Sequence, residues 1–161
     1  MFYITIDCGT TNSRAYVVNE AGEILNKATK KVGVKDTATT GSRKTLFEGV
    51  REIVREAIAG VGLSKSDISA ILSSGMITSE IGLKEIPHLM APCTVERLAK
   101  NLTSVAGVDI LGPDVPMFFV RGIKNQQKIN NQHPTQVVGE LDFMRGEETQ
   151  VAGMFTRNDF E

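Results

Sequence analysis

Residues 7–14 read Asp7-Cys8-Gly9-Thr10-Thr11-Asn12-Ser13-Arg14, and the reading of this stretch decides the fold. Before it, Phe2-Tyr3-Ile4-Thr5-Ile6 is apolar at alternate positions, the period of a half-buried strand. After it, Ala15-Tyr16-Val17-Val18 is β-prone again. Gly9 and its hydroxyl-rich neighbours are therefore expected at the tip of a hairpin. Nested backbone N–H groups and hydroxyls at such a tip make a concavity for an anion such as phosphate. A carboxylate at the strand end would repel a bare phosphate, so Asp7 makes sense there chiefly with a divalent cation between them. Gly, Asn and Thr also populate hairpin turns for conformational reasons alone. The N-terminal position of the segment, and the return of the chain as a strand, argue against a Walker-type loop or a Rossmann turn.

A chain of 161 residues is long enough for one domain with a real core. Its hydrophobic and charged fractions, 41% and 23%, are ordinary for a globular protein. A formal net charge of -1 gives no pull toward nucleic acid or an anionic membrane. Cys8 and Cys93 are the only cysteines and form no Cys-x-x-Cys pair, so neither a disulfide framework nor a metal site is indicated. The chain shows no signal-peptide pattern and no apolar run of about 18 residues, which points to a reduced, cytoplasmic setting.

Outward from the hairpin, Asn19-Glu20-Ala21-Gly22 is a turn, and residues 23–32 supply a third antiparallel strand. Residues 34–41 lack periodicity and read as a loop. Leu46, Val50, Ile53, Val54, Ala57, Ile58 and Val61 then recur with helical spacing, and a helix is expected over 45–60. Thr45 with Glu48 suggests a capping box, and Gly60 and Gly62 a stop. Ile68-Ser69-Ala70-Ile71-Leu72-Ser73 is a compact buried strand running into Ser74-Gly75-Met76. A second helix fits 94–105, with Thr94 as N-cap, and a last strand fits 115–120. The parallel part of such a sheet needs crossovers, and both helices lie where crossovers are required. The expected fold is α/β: a mixed sheet of about five strands, the first three antiparallel, with both helices packed on it. Residues 122–138 are polar and amide-rich, without a nucleic-acid signature, and His133 has no second ligand nearby.

Met144-Arg145-Gly146-Glu147-Glu148-Thr149-Gln150 is the second functional candidate. Two carboxylates after Arg-Gly, leading into an apolar segment, mark a helix start, where the dipole alone favours acidic residues. Phosphoryl transfer to a hydroxyl also needs a carboxylate to orient the alcohol and accept its proton. Arg145 can hold a substrate carboxylate as a planar fork. Gly75, Met76, Ser79 and Glu80 follow a strand's C-terminal end, where open α/β sheets place ligand crevices.

Three segments, in order, resemble one family. Asp7 to Ala15 resembles the first phosphate loop of the actin-like ATPase and sugar-kinase superfamily, glycerol-kinase-like enzymes in particular. Ser74-Gly75-Met76-Ile77-Thr78-Ser79-Glu80-Ile81-Gly82, with Pro87 and Pro92 beyond it, resembles a segment of 2-dehydro-3-deoxygalactonokinases. Met144 to Gln150 resembles that family's Met-Arg-Gly-Glu-Glu-Thr-Gln signature. The resemblance implies a ribonuclease-H-like, actin-like half-domain and a kinase that phosphorylates a keto-deoxy sugar acid with ATP and Mg²⁺ in galactonate breakdown. It implies residues 1–143 as the N-terminal domain and 144–161 as the start of an interdomain helix toward a C-terminal domain that this sequence lacks. That domain would carry the other phosphate hairpin and the adenosine pocket, so the chain alone is expected to be inactive.

The site expectations follow. Asp7 holds Mg²⁺, through water, while Gly9, Thr10, Thr11 and Asn12 cradle phosphates, and Arg14 reaches the transferred phosphoryl group or the substrate. Gly75, Met76, Ser79, Glu80 and Arg145 bind the sugar acid. Glu147 or Glu148 is the base, with Glu147 preferred because it directly follows Gly146 at the helix start. Expected partners are the sugar acid, ATP, and either a separate C-terminal half or a second copy of the chain. The alternatives are an actin-like kinase domain for another sugar or sugar acid, and a non-catalytic remnant that binds a sugar acid or a partner protein.

Overall fold

The computed structural model describes residues 1–125 and 142–156. Strands β1 (Phe2–Cys8), β2 (Ser13–Asn19) and β3 (Ile24–Lys30) form an antiparallel meander, followed by helices α1 (Val34–Thr40) and α2 (Lys44–Ala59). Strand β4 (Ile68–Gly75) then pairs parallel with β1, Cys8 opposite Gly75. Beyond it come β5 (Leu89–Met90), α3 (Val95–Lys100), β6 (Thr103–Ser104), β7 (Met117–Phe119), β8 (Ile123–Lys124), β9 (Phe143–Met144) and α4 (Glu147–Thr156). The main sheet runs β3-β2-β1-β4-β7-β6, with β4 and β7 parallel and β6 an antiparallel edge. Three antiparallel strands, then two parallel ones on the far side of β1, are the expected ribonuclease-H-like, actin-like arrangement.

Period-two alternation sets which face is dry. Ile4, Ile6 and Cys8 of β1, Ala15 and Val17 of β2, and Ile71 of β4 lie in one buried cluster with Leu46, Val50, Ile53, Val54 and Ala57 of α2. The helical stripe predicted for 45–60 is thus the core face of α2. Thr5, Asp7, Arg14, Tyr16, Leu72 and Ser74 alternate with these residues and point to the opposite face, which is only partly covered.

Several local expectations are corrected. Residues 34–41 contain α1, because the Asp36 carboxylate accepts the Gly33 N–H at 2.9 Å and Val34 and Thr37 are buried. Helix α2 starts at Lys44, and Arg43 occupies its N-cap position without a side-chain bond, so Thr45 and Glu48 form no capping box. Thr94 caps α3 as expected, its hydroxyl accepting the Arg97 N–H, but α3 ends at Lys100. Thr103–Ser104 then pairs with β7 and adds a sixth strand. Leu98 of α3 packs with Leu89 and Val120 in a small cluster apart from the main core, so α3 does not cover the sheet as predicted. A second sheet, β5-β8-β9, was not anticipated. Its two-residue strands are too short for any period to register. Most of the amide-rich 122–138 stretch, His133 included, lies outside the described residues.

Candidate active site

The hairpin between β1 and β2 is held by its own backbone. The Gly9 N–H donates to the Asn12 carbonyl at 2.9 Å. Behind the turn, the Val34 and Lys35 N–H groups donate to the carbonyls of Gly9 and Thr10, at 3.2 and 2.9 Å. Ser13 is fully buried and its hydroxyl donates to the Val32 carbonyl at 2.8 Å. Approach there is close: a Cβ on Gly33 would lie 2.4 Å from the Thr10 carbonyl oxygen. Carbonyls 9 and 10 thus turn inward, and among the described residues the N–H groups of Thr10, Thr11 and Asn12 have no protein partner. An exposed tip with free N–H groups suits an anion.

Asp7 is the penultimate residue of β1 and faces Arg14 across the ladder, carboxylate to guanidinium 2.9 Å. On that face Asp7, Thr5, Tyr16, Leu72, Ser74 and Thr149 line one cavity of about 320 Å³. Ser74 and Thr149 come from the two other motifs, so all three meet here. The meeting is made by glycine. Gly75 has φ 89°, and a Cβ there would lie 2.5 Å from the Cys8 carbonyl oxygen; a Cβ on Gly146, at φ 111°, would lie 3.2 Å from the Gly75 Cα. The end of β1, the end of β4 and the turn into α4 are thereby stacked backbone to backbone.

The residues expected on the acceptor side are placed differently. Met76 opens a short 3₁₀ turn, and Ser79 is buried with its hydroxyl donating to the Met76 carbonyl at 2.7 Å. Glu80 is exposed, and its carbonyl accepts from Arg43. None of the three lines the Asp7 cavity. Arg145 turns its guanidinium back into the chain: one terminal nitrogen meets the carbonyl and hydroxyl of Thr78 at 2.7 and 2.5 Å, the other the Ile86 carbonyl at 3.0 Å and His88 Nδ1 at 3.4 Å. Burial, and next the Arg145 cation, hold His88 below the ordinary imidazole range.

The paired carboxylates diverge. Glu147 is exposed and its carboxylate accepts the Arg145 N–H at 3.0 Å. Glu148 is 3% exposed, and one oxygen accepts the Gly146 N–H at 2.7 Å. Its other oxygen, Oε1, is buried without a hydrogen-bond partner among the described residues. Burial pushes this carboxyl above the usual carboxylate range, with Glu147 adding to the rise. Glu148 faces a separate groove between α3 and α4, whereas Thr149 faces the Asp7 cavity.

Sequence reasoning did not pick out Thr149, Ser74, Thr78, His88 or the 33–35 strap. Ser74, Thr78 and Thr149 lay inside the quoted motifs without a distinctive spacing; the strap carried no signal. Among the described residues no group of three metal-ligating side chains occurs. A lone Asp7 beside free N–H groups nevertheless fits a hydrated Mg²⁺–phosphate, because Mg²⁺ keeps several waters and takes one or two protein carboxylates.

The family model described as 2-keto-3-deoxy-galactonokinase matches residues 7–161. The probable 2-dehydro-3-deoxygalactonokinase DgoK1 of Rhizobium meliloti is 26% identical over 152 residues, covering 94% of this chain and 42% of that protein. A solved structure described as a 2-dehydro-3-deoxygalactonokinase from Sinorhizobium meliloti superposes with a TM-score of 0.65 at 22% identity, over 92% of this chain and 40% of that one. A reductive activator for a corrinoid, iron–sulfur protein shares the fold at a TM-score of 0.52 and 17% identity, over 74% of this chain and 22% of that one. The chain thus spans under half the length of the galactonokinase relatives it matches. By the extent of the family match, the chain belongs to the 2-keto-3-deoxy-galactonokinase family.

Proposed function

We propose that this chain is the N-terminal domain of a cytoplasmic, ATP-dependent kinase that phosphorylates 2-dehydro-3-deoxygalactonate. Residues 1–143 are the ribonuclease-H-like domain, and 144–161 begin the helix toward a C-terminal half needed for turnover. The observation that carries the reading is the convergence of Asp7, Ser74 and Thr149, one residue from each motif, on one cavity over the partly covered face of the sheet.

In this reading Gly9, Thr10, Thr11 and Asn12 cradle the terminal phosphates, with the N–H groups of Thr10, Thr11 and Asn12, unpaired among the described residues, as the donors. Asp7 holds Mg²⁺ through water, and Arg14, its cross-strand partner, holds the carboxylate in place and reaches toward the transferred group. When bound, Mg²⁺ neutralises charge on the phosphates. Glu147 accepts the proton of the attacking hydroxyl: it is the exposed member of the pair, at the α4 start, beside the Gly75–Gly146 contact. Glu148 is the less favoured base, because its carboxyl faces the other groove. Gly75 and Met76, with Ser79 and Glu80, frame the sugar-acid side, and Arg145 serves it mainly by fixing this segment through Thr78 and Ile86.

The test is ATP-dependent phosphoryl transfer by the chain together with a C-terminal half, against a panel of sugar acids. Transfer to 2-dehydro-3-deoxygalactonate above the others supports the reading, and preference for another acid reassigns the substrate. Tight sugar-acid binding without transfer by the complete assembly leaves a non-catalytic binding domain instead.

A further inference from the structure

His88 is wedged between three segments of the chain. Its carbonyl and that of Pro87 accept from Arg121, at 3.4 and 2.8 Å. A Cβ on Gly122 would lie 2.7 Å from His88 Cδ2 and 2.8 Å from Arg145 Cγ, so the missing side chain there makes room for both. The Phe143 ring of β9 meets the imidazole edge-on, with centroids 6.0 Å apart. Nε2 is buried without a hydrogen-bond partner among the described residues, and Nδ1 faces a terminal nitrogen of Arg145 at 3.4 Å. A guanidinium only donates, so this contact requires the Nδ1 lone pair and a neutral ring with its proton on Nε2.

A second proton reverses the contact. Nδ1–H then opposes a guanidinium N–H, donor against donor and cation against cation. The charges that act on the ring are all positive: Arg145 before α4, Lys124 of β8, and Arg121 between β7 and β8. The carboxylates nearby, Glu85 and Glu148, act on Arg145 instead. We propose that His88 is a positioning residue that holds Arg145, and through it the turn bearing Glu147, only while its imidazole is uncharged. The Arg145 N–H donates to the Glu147 carboxylate, and its guanidinium ties the same turn to Thr78 and Ile86. Freeing that guanidinium therefore loosens the seat of Glu147. The consequence for catalysis rests on the kinase reading, whereas the latch is a property of this chain alone.

The fold favours the neutral ring, so the stability it supplies is fully present above the ordinary imidazole value. That stability is lost as pH falls through the lowered one. Amide hydrogen exchange on the chain, read as protection factors from about pH 8 to about pH 4.5, tests this. Protection at Ile86, whose N–H donates to the Thr78 carbonyl, should fall about tenfold toward acid, the equivalent of one hydrogen bond. Lys35, on the hairpin strap, should not change. The midpoint should coincide with titration of the His88 ring resonance, and not with that of His133, the other histidine. In His88→Asn, whose amide oxygen keeps an acceptor near the Nδ1 position and does not titrate, protection should stay high and flat. Flat protection at Ile86 in the native chain would overturn the proposal, as would an equal fall in His88→Asn. So would an equal fall at Lys35, or a midpoint that follows His133. The native titration decides even if His88→Asn does not fold. No outcome involves substrate or turnover, so failure of the kinase reading would leave the latch standing.

Discussion

The two ends of the candidate site are built on different principles. The hairpin end is backbone work: N–H groups of residues 34 and 35 tie carbonyls 9 and 10, on the end of a seven-residue strand in the main sheet. The other end is side-chain work: one guanidinium, Arg145, ties Thr78, Ile86 and His88 to the turn before α4, next to strands of two residues. Backbone bonds on a long ladder survive most substitutions, whereas a clamp made by one side chain is lost with it. A stiff hairpin end and a separately releasable Arg145 end follow.

The largest effect should come from the clamp. Arg145→Met keeps the length of the side chain and removes its donors, and should cost about 3 kcal/mol, the upper range for hydrogen bonds to a charged group. Hydrogen exchange should quicken at Ser79, Gly82 and Ile86, whose amides bond within this segment, and stay slow at Lys35. Equal loss at both ends would merge the two regions into one cooperative unit. Gly33→Val is the reciprocal break. Its Cβ would lie 2.4 Å from the Thr10 oxygen, so overpacking should cost about 2 kcal/mol and quicken exchange at Val34 and Lys35 first.

Glu148 gives a smaller effect with a pH signature. Its carboxyl is raised in the fold, so the stability from the neutral acid is fully present below the ordinary carboxylate value. That stability is lost as pH rises through the raised value. Glu148→Gln cannot ionise, and its Tm should exceed that of the native chain at and above neutral pH. The gain should be roughly 2–4 °C, the equivalent of about 1 kcal/mol for a domain of this size, and should vanish in acid. A gain independent of pH would place its origin outside the titration. Smallest of all, Arg14→Gln breaks an ion pair whose side chains are 45% and 35% exposed, and should change stability by under about 1 kcal/mol.

This contrast also explains what the sequence made legible. The hairpin, the meander and the apolar stripe of α2 announce themselves through period two, period 3.6 and turn residues, which are local signals. Glu147 at a helix start was readable from the same kind of signal. The Arg145 clamp spans 67 residues to Thr78 and depends on which way a side chain turns, which no spacing encodes. Arg145 read as a substrate ligand because its type fits a carboxylate, and the carbonyls that engage it are invisible in a sequence. The divergence of Glu148 and Thr149 to opposite sides of α4 is likewise a matter of helix phase, fixed only once Gly146 stacks on Gly75.

The most direct test of the kinase reading compares turnover of two variants in the complete enzyme, the chain together with its C-terminal half. Glu147→Gln should lower kcat by roughly 10²–10⁴-fold with sugar-acid binding little changed, the share expected of a general base. Glu148→Gln should leave the chemical step far less affected. If Glu147→Gln turns over normally, the exposed carboxylate at the α4 start is only a helix cap, and the catalytic assignment built on it is wrong.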